Sequence, residues 1–402
     1  MSERWDAVVV GAGPAGAATA LLLARAGAAV LVLDRARFPR HKPCSEYLSP
    51  AATAILERLG EGVLAAVEGA SHAKVYGMKV VAPGGATMCG RFGGRYSFTL
   101  PRSTLDTILV RAAERAGAVV REATTVDDLV WEGDAVAGVT ARARDGARVT
   151  WRAQVVVGAD GLRSVVARRL GFERASAPRR LAFTAHVADV AGIDGVGELH
   201  VSDRGYVGLG PVGGGVTTVA LVVPLRAVRG RGRAFRHGFF AELERFPGLA
   251  GRFDPRRLVR EVLTTGPFAR WSRSPVAAGA LLVGDAADFF DPFTGQGIYA
   301  ALRGAELAVA TLGPALACAR GPRPLSRAAL APYVRARRRA FTGKWWLERL
   351  IGLGVGWPGL TDRVVNRLAR RPELADLLVG ATGNIVPARR VFAPHVLARL
   401  LW

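Results

Sequence analysis

The sequence predicts an α/β protein: a parallel sheet built on a dinucleotide-binding βαβ unit, interrupted by a β-rich layer and followed by a helical C-terminal region. Three stretches predict it. VVVGAGPAGAATALLLARAGAAVLVLDR (8–35) reads as strand, glycine turn, helix, strand and acid. VVVGADGLRSVVARRLG (155–171) and ALLVGDAADFFDPFTGQGIYAALRGAELA (280–308) each run from an apolar strand through a glycine–acid turn into a helix.

In the first stretch each position has a physical task. Gly11, Gly13 and Gly16 supply the G-x-G-x-x-G spacing directly after Val8–Val10. Gly11 permits the tight turn, Gly13 lets backbone approach a pyrophosphate, and Gly16 lets helix and strand pack closely. The helix after Pro14 and Ala15 offers free N–H groups to phosphates, and Asp34, closing a strand over 29–33, is placed to accept from ribose hydroxyls. The spacing alone is weak evidence; the complete unit is specific. In the second stretch Asp160 and Gly161 follow a buried strand and a helix starts near Ser164. In the third, Gly284-Asp285 follows a strand. Pro292 and Gly295-Gln296-Gly297 then open a helix running to about Leu312, whose N-terminus can face an anionic ring system. Between the motifs, 73–100 alternates as strands, 105–116 has helical spacing, 118–150 reads as strands, 181–225 as short strands and 234–246 as a helix. Beyond 312 the chain reads as helical, broken at Pro322, Pro324, Pro332, Pro358 and Pro372.

Composition narrows the class. The chain has 402 residues, enough for two or three domains, and 50% of them are hydrophobic, which excludes disorder. The N-terminal apolar run carries three glycines and Arg25 and reads as the nucleotide unit, not as a signal peptide or membrane span. Cys44, Cys89 and Cys318 are few and far apart, as in a reducing cytoplasm, and the six histidines show no metal-ligand spacing; no metal is expected. Net charge is +22. The segment 320–402 holds 16 basic and 4 acidic residues together with Trp345, Trp346, Trp357 and Trp402. Three readings stand for it: a peripheral membrane contact, a contact with an acidic carrier protein, or a solvated face. No nucleic-acid-binding module is present.

The three motifs in this order resemble those of the FAD-dependent oxidoreductases with the para-hydroxybenzoate hydroxylase fold. The resemblance covers residues 1 to about 315. It implies a Rossmann-type FAD-binding domain with an inserted β-sheet substrate domain. The FAD domain is expected over 1–72, 101–170 and 275–315, the substrate domain over 73–100 and 171–274, and the helical region over 316–402. It also implies roles: Gly11 to Gly16 on the pyrophosphate, Asp34 and Arg35 at the adenosine end, and Arg102, in Arg102-x-x-Leu105-Asp106, reaching the cofactor. Val126 would touch adenine through its backbone, Asp160 and Gly161 would lie by the cleft, Asp285 would bind the ribityl chain, and Gly295 to Ile298 would face the pyrimidine edge of the flavin.

Within that fold, residues 38–60, with Lys42-Pro43-Cys44-Ser45-Glu46, resemble the lysine–proline–cysteine–glycine–acid segment of the geranylgeranyl reductase branch, which places Cys44 and Ser45 by the cofactor. Ser45 stands where that branch has glycine. Prenyl reductases carry a tyrosine, tryptophan, phenylalanine, proline pattern along the lipid channel. The matching stretch Gly205–Pro211 keeps Tyr206 and Pro211 but has Gly208 and Gly210 in place of both large aromatics, which widens the pocket. The leading expectation is therefore a monooxygenase that uses reduced FAD, NADPH or NADH and molecular oxygen to hydroxylate an apolar aromatic, a polyketide-type phenol or quinol of secondary metabolism. The alternative is a geranylgeranyl reductase-like enzyme saturating double bonds of a prenyl substrate. A halogenase would want a tryptophan-x-tryptophan-x-isoleucine-proline segment, which is missing, and a redox-silent scaffold would want lost cofactor motifs. Glu46, Cys44 and Tyr206 are the candidate catalytic side chains. His186 and His200 are further proton acceptors that read more simply as core or surface histidines. A cytoplasmic location, with a possible peripheral membrane contact, is expected.

Overall fold

The computed structural model describes residues 4–230, 232–319 and 321–401. Its central sheet has eight strands, and its parallel core explains why the three motifs meet. Val-rich Arg4–Val10 pairs in parallel with Val30–Leu33 on one side and with Arg148–Gly158 on the other, and Gly158 pairs with Leu282 of Ala280–Leu282. One row of the sheet therefore runs Leu282, Gly158, Val10, Leu33. Each of the three turns leaves the carboxyl end of its strand beside the next, the edge where open α/β sheets bind ligands. The strands are apolar on both faces: Pro14–Arg25, Arg102–Arg115 and Gly297–Cys318 cover one, and the antiparallel strands Thr125–Glu132 and Ala135–Arg142 with the short helix Val165–Arg169 pack against the other.

Pro14–Arg25 is buried along most of its length and packs between Gly297–Cys318 and Arg102–Arg115. Gly297–Cys318 is long and apolar enough to cross a membrane, but Ile298, Leu302, Ala305 and Leu312 are in the core. A seven-stranded sheet forms the second layer, in the order Leu258–Thr265, Arg180–Ala188, Val216–Pro224, Gly205–Gly213, Gly197–Ser202, Gly77–Val81, Thr87–Arg91. A small sheet of Tyr47–Leu48, Ser97–Thr99 and Ala73–Val75 ties the chain just after Lys42–Glu46 to that layer.

Three local expectations are corrected. The helix expected over 234–246 is two short helices, Gly232–His237 and Phe239–Leu243, separated at Gly238. The helix from Gly297 continues through Pro314 to Cys318. Pro332 does not break the tail: it is exposed inside Arg327–Gly354, whose start is capped by Ser326 Oγ on Ala329 N and whose Leu330, Tyr333 and Phe341 are buried. Packing on that face outweighs the one backbone hydrogen bond that proline removes.

Candidate functional site

The glycine loop is shaped by contacts that leave no alternative residue. Gly11 has φ +94°, and a Cβ there would stand 2.7 Å from Ala159 O; a Cβ on Gly16 would overlap the Gly11 carbonyl oxygen outright. Gly13 differs. A Cβ on it would meet only the ends of Arg102 and Arg40, at 3.7 and 3.8 Å. The protein does not fill the space over Gly13, and two guanidinium groups border it. No side chain caps the helix at Gly13, and Pro14 has no N–H to lose. An open helix N-terminus bordered by two guanidinium groups is a cradle that can accept a doubly charged phosphate group.

Asp106 organises the basic side of the cradle. It accepts from Arg102 Nε and Nη2 at 2.7 and 2.8 Å and pairs with Arg40 Nη1 at 2.9 Å. Burial works against the Arg102 charge, but Asp106 and the Cys44 sulfur beside it outweigh that and push its pKa up, so it stays cationic. Asp34 is buried, and its two oxygens accept from Ala12 N (2.7 Å) and Ala36 N (2.8 Å). It therefore fixes the glycine loop, and each oxygen keeps a second lone pair that can accept a further hydrogen bond. Arg35 is exposed and off the cavity wall; Arg40 stands 3.9 Å from Asp34 instead. Val126 is buried two residues beyond Thr124, whose N–H donates to Asp34 O, and is likewise off the cavity wall.

At the other motif turns, Asp160 Oδ2 accepts from Val165 N at 2.6 Å, closing the turn, while its buried Oδ1 has no partner among the described residues. Gly161 has φ +78°, and a Cβ on it would be 3.3 Å from Lys42 Nζ. Gly284, at φ +62°, lies against Ala15. Asp285 lines the cavity; burial raises its pKa, and Lys42 and Arg102 offset part of that rise. Burial, with Arg102 and Arg40 nearby, lowers that of Lys42. Lys42, Arg40 and Asp106 were not among the expected site residues, although Lys42 and Asp106 lie within marked motifs and Arg40 lies just ahead of Lys42. Pro292–Thr294 forms a tight turn capped by Asp291 on Phe293 N, and Gly295 (φ +65°) lies against the Tyr47 ring. Gly297 and Ile298 then start the helix on the cavity wall, with Ser45 and Cys44 also on the wall. Gln296 is turned away: its Nε2 donates to Thr382 O at 2.9 Å, tying the loop to the tail.

Two of the three candidate catalytic side chains have structural occupations. Glu46 is fully buried at φ +59° and off the cavity wall. It accepts from Arg102 N (3.1 Å), pairs with His186 Nε2 (2.5 Å) and lies 3.7 Å from Arg260. His186 is thus a core histidine with a carboxylate partner, and Glu46 anchors the cofactor loop. Tyr206 donates to Asp291 Oδ1 at 2.6 Å, and Asp291 Oδ2 accepts from Arg180 at 2.6 Å. Burial, and then Asp291, raise the Tyr206 hydroxyl well above its ordinary range, so its proton stays in that bond. Cys44 is half-buried, lines the cavity, and accepts from Glu46 N at 3.3 Å. His200 joins a buried network on Glu198 with Arg252 and Lys79.

From the cradle the cavity, of about 430 Å³, passes Tyr206, Gly208 and Gly210 on one face of a strand. A Cβ at Gly208 or Gly210 would make only ordinary contact, at 3.7 Å from Leu199 and 3.8 Å from Thr218. The cavity continues past Phe289 and Phe293 between the C-terminal helices, walled by Leu347, Ile351, Val365, Leu368 and Val379.

A family model described as "FAD binding domain" matches residues 4–339, and the chain belongs to that family. It is 32% identical to the menaquinone reductase of Mycolicibacterium smegmatis over 77% of this chain and 76% of that protein. It is 28% identical to digeranylgeranylglycerophospholipid reductase 2 of Methanococcoides burtonii over 77% of this chain and 74% of that one. Its fold matches the solved flavoprotein/dehydrogenase of Cytophaga hutchinsonii with a TM-score of 0.83 at 21% identity, over 98% and 96% of the two chains. The protein is an FAD-dependent oxidoreductase.

Proposed function

We propose, from this place among FAD-binding oxidoreductases, that the enzyme reduces a carbon–carbon double bond in an isoprenoid chain. The observation that carries the reading is the apolar continuation of the cavity beyond the flavin cleft, between Leu347, Ile351, Val365 and Leu368. An elongated apolar channel suits a flexible chain, and the room left by Gly208 and Gly210 suits its methyl branches. The two curated relatives, both named reductases, support this alternative above the hydroxylation that the sequence put first.

The residues present fit FAD: the open Gly13 cradle with its two guanidinium groups, and Asp285 with Lys42 across the cleft. When bound and reduced, FAD supplies a hydride to one carbon of the double bond. The helix starting at Gly297 favours negative charge at its N-terminus. Cys44 gives a proton to the second carbon from the cavity wall, and Arg102, held charged by Asp106, offsets the negative charge left on sulfur until water returns the proton. Tyr206, Asp291 and Arg180 hold the loop 291–295 against the substrate sheet. NADPH or NADH would be the two-electron donor. An aromatic substrate remains the second reading, favoured by the width at Gly208 and Gly210.

The test is anaerobic. Reduced enzyme mixed with a geranylgeranyl lipid should yield a product heavier by two hydrogens as oxidised flavin reappears, and Cys44→Ser should slow that step with flavin content unchanged. A phenol gaining one oxygen under air, with no prenyl product, would overturn the reading.

A further inference from the structure

The long helix Arg327–Gly354 is buried on one face by Leu330, Tyr333, Phe341 and Leu347. Its opposite face carries an unusual series. Trp346, Leu350 and Leu353, followed by Trp357 just past the helix end, are 62%, 51%, 57% and 70% exposed. Steps of four, three and four residues put the first three on one stripe and continue it to Trp357. Two turns earlier the same stripe carries Arg335 and Arg339, and Arg338 and Arg349 flank it; all four are exposed. None of these arginines pairs with a carboxylate among the described residues. The nearby acids are engaged: Glu348 with Lys344 and Thr294, Asp362 with Gly84 N.

Leu350 is both half-exposed and part of the cavity wall, and Gly354, Leu360 and Thr361 line the cavity beside it. The stripe therefore borders the mouth of the apolar channel. Four large apolar side chains clustered in water cost free energy that a monomeric protein rarely carries without use. Tryptophan at both ends, a basic surround and a buried opposite face describe a helix that lies in a membrane interface instead of crossing it.

We propose that this stripe seats the protein on an anionic lipid bilayer, with the channel mouth against the acyl region. The arginines meet the lipid phosphates, Trp346 and Trp357 enter the headgroup boundary, and an apolar substrate passes from bilayer to cavity without crossing water. The inference goes beyond the reduction chemistry and does not require it; any apolar substrate of this cavity would use the same entrance.

The experiment is co-sedimentation of the flavin-loaded protein with phosphatidylcholine vesicles, with and without phosphatidylglycerol. The wild type should bind the anionic vesicles, lose binding as salt is raised, and shift its tryptophan emission to the blue. The double variant Trp346→Ser, Trp357→Ser should partition at least about tenfold less while keeping its flavin and its turnover of detergent-dispersed substrate. That last measurement separates failure of this proposal from failure of the reductase reading. Equal binding by the double variant, no vesicle binding by the wild type, tighter binding to an acidic carrier protein than to vesicles, or a dimer that the double variant abolishes would each overturn it.

Discussion

The glycine loop after Val10 and the strand Gly205–Gly213 use the same residue for opposite purposes. At Gly11, Gly16 and Gly284 an added Cβ would press into neighbouring backbone or a packed side chain. At Gly208 and Gly210 it would find ordinary van der Waals room. In the loop, glycine is demanded by the protein's own packing, and only Gly13 is left open toward a ligand. In the strand, glycine leaves a volume that the fold does not need. The cradle is thus constrained by self-contact, while the packing of the channel strand leaves its residue choice open. Substitutions in the first should cost fold and cofactor, and in the second only selectivity.

The largest expected effect is at Gly16. Gly16→Val should destabilise the protein by about 3 kcal/mol or more and abolish FAD retention, read as lost flavin absorbance after gel filtration. A yellow, stable variant would break the comparison at its root. Next is the buried network on Glu198, which is on the channel wall. Burial would raise the Glu198 carboxyl, but His200, Arg252 and Lys79 pull it down to about 2. A depressed folded value contributes stability above the ordinary carboxylate range, lost as pH falls from about 4.5 to about 2. Glu198→Gln should cost about 3 kcal/mol at neutral pH and flatten the acid limb of a denaturation profile over that window. An unchanged acid limb would show that the network stabilises nothing.

Asp285 sharpens the contrast, because its burial raises its pKa. Its contribution to apoprotein stability is present at low pH and is lost as pH rises through the raised value. Asp285→Asn should leave the apoprotein at least as stable at neutral pH while weakening FAD about tenfold, roughly 1.4 kcal/mol. Flavin titration with a parallel melting curve checks both halves, and full FAD affinity would remove Asp285 from the cradle. The smallest effect is in the channel. Gly208→Trp should keep flavin and melting temperature, and raise KM for a long-chain substrate several-fold by occluding volume. A variant that loses its flavin would mean the strand is constrained as the loop is.

Much of the site was legible. The positions of Gly11, Gly13, Gly16, Asp160, Asp285 and Gly295 follow from strand–turn–helix chemistry read within a few residues of sequence. What escaped was everything set by partners far apart along the chain. Glu46 looked like a reactive acid, yet His186, 140 residues away, and Arg102 N make it an anchor. Tyr206 looked free to exchange a proton, yet Asp291, 85 residues on, fixes its hydrogen. Pro332 looked like a helix break because local propensity cannot register the packing of Leu330, Tyr333 and Phe341. Gly208 and Gly210 do line the cavity with room beside them, but its length was not legible, because its far wall comes from the C-terminal helices.

The sequence by itself determined the α/β class, the nucleotide cradle and its order along the chain, since turns and strands are specified by neighbours three or four residues apart. Only the tertiary structure decided which buried acids are occupied, where the channel ends, and that Trp346, Leu350 and Leu353 face outward while Leu347 faces in. Those depend on burial, and burial belongs to the whole packed molecule, not to any segment of the chain.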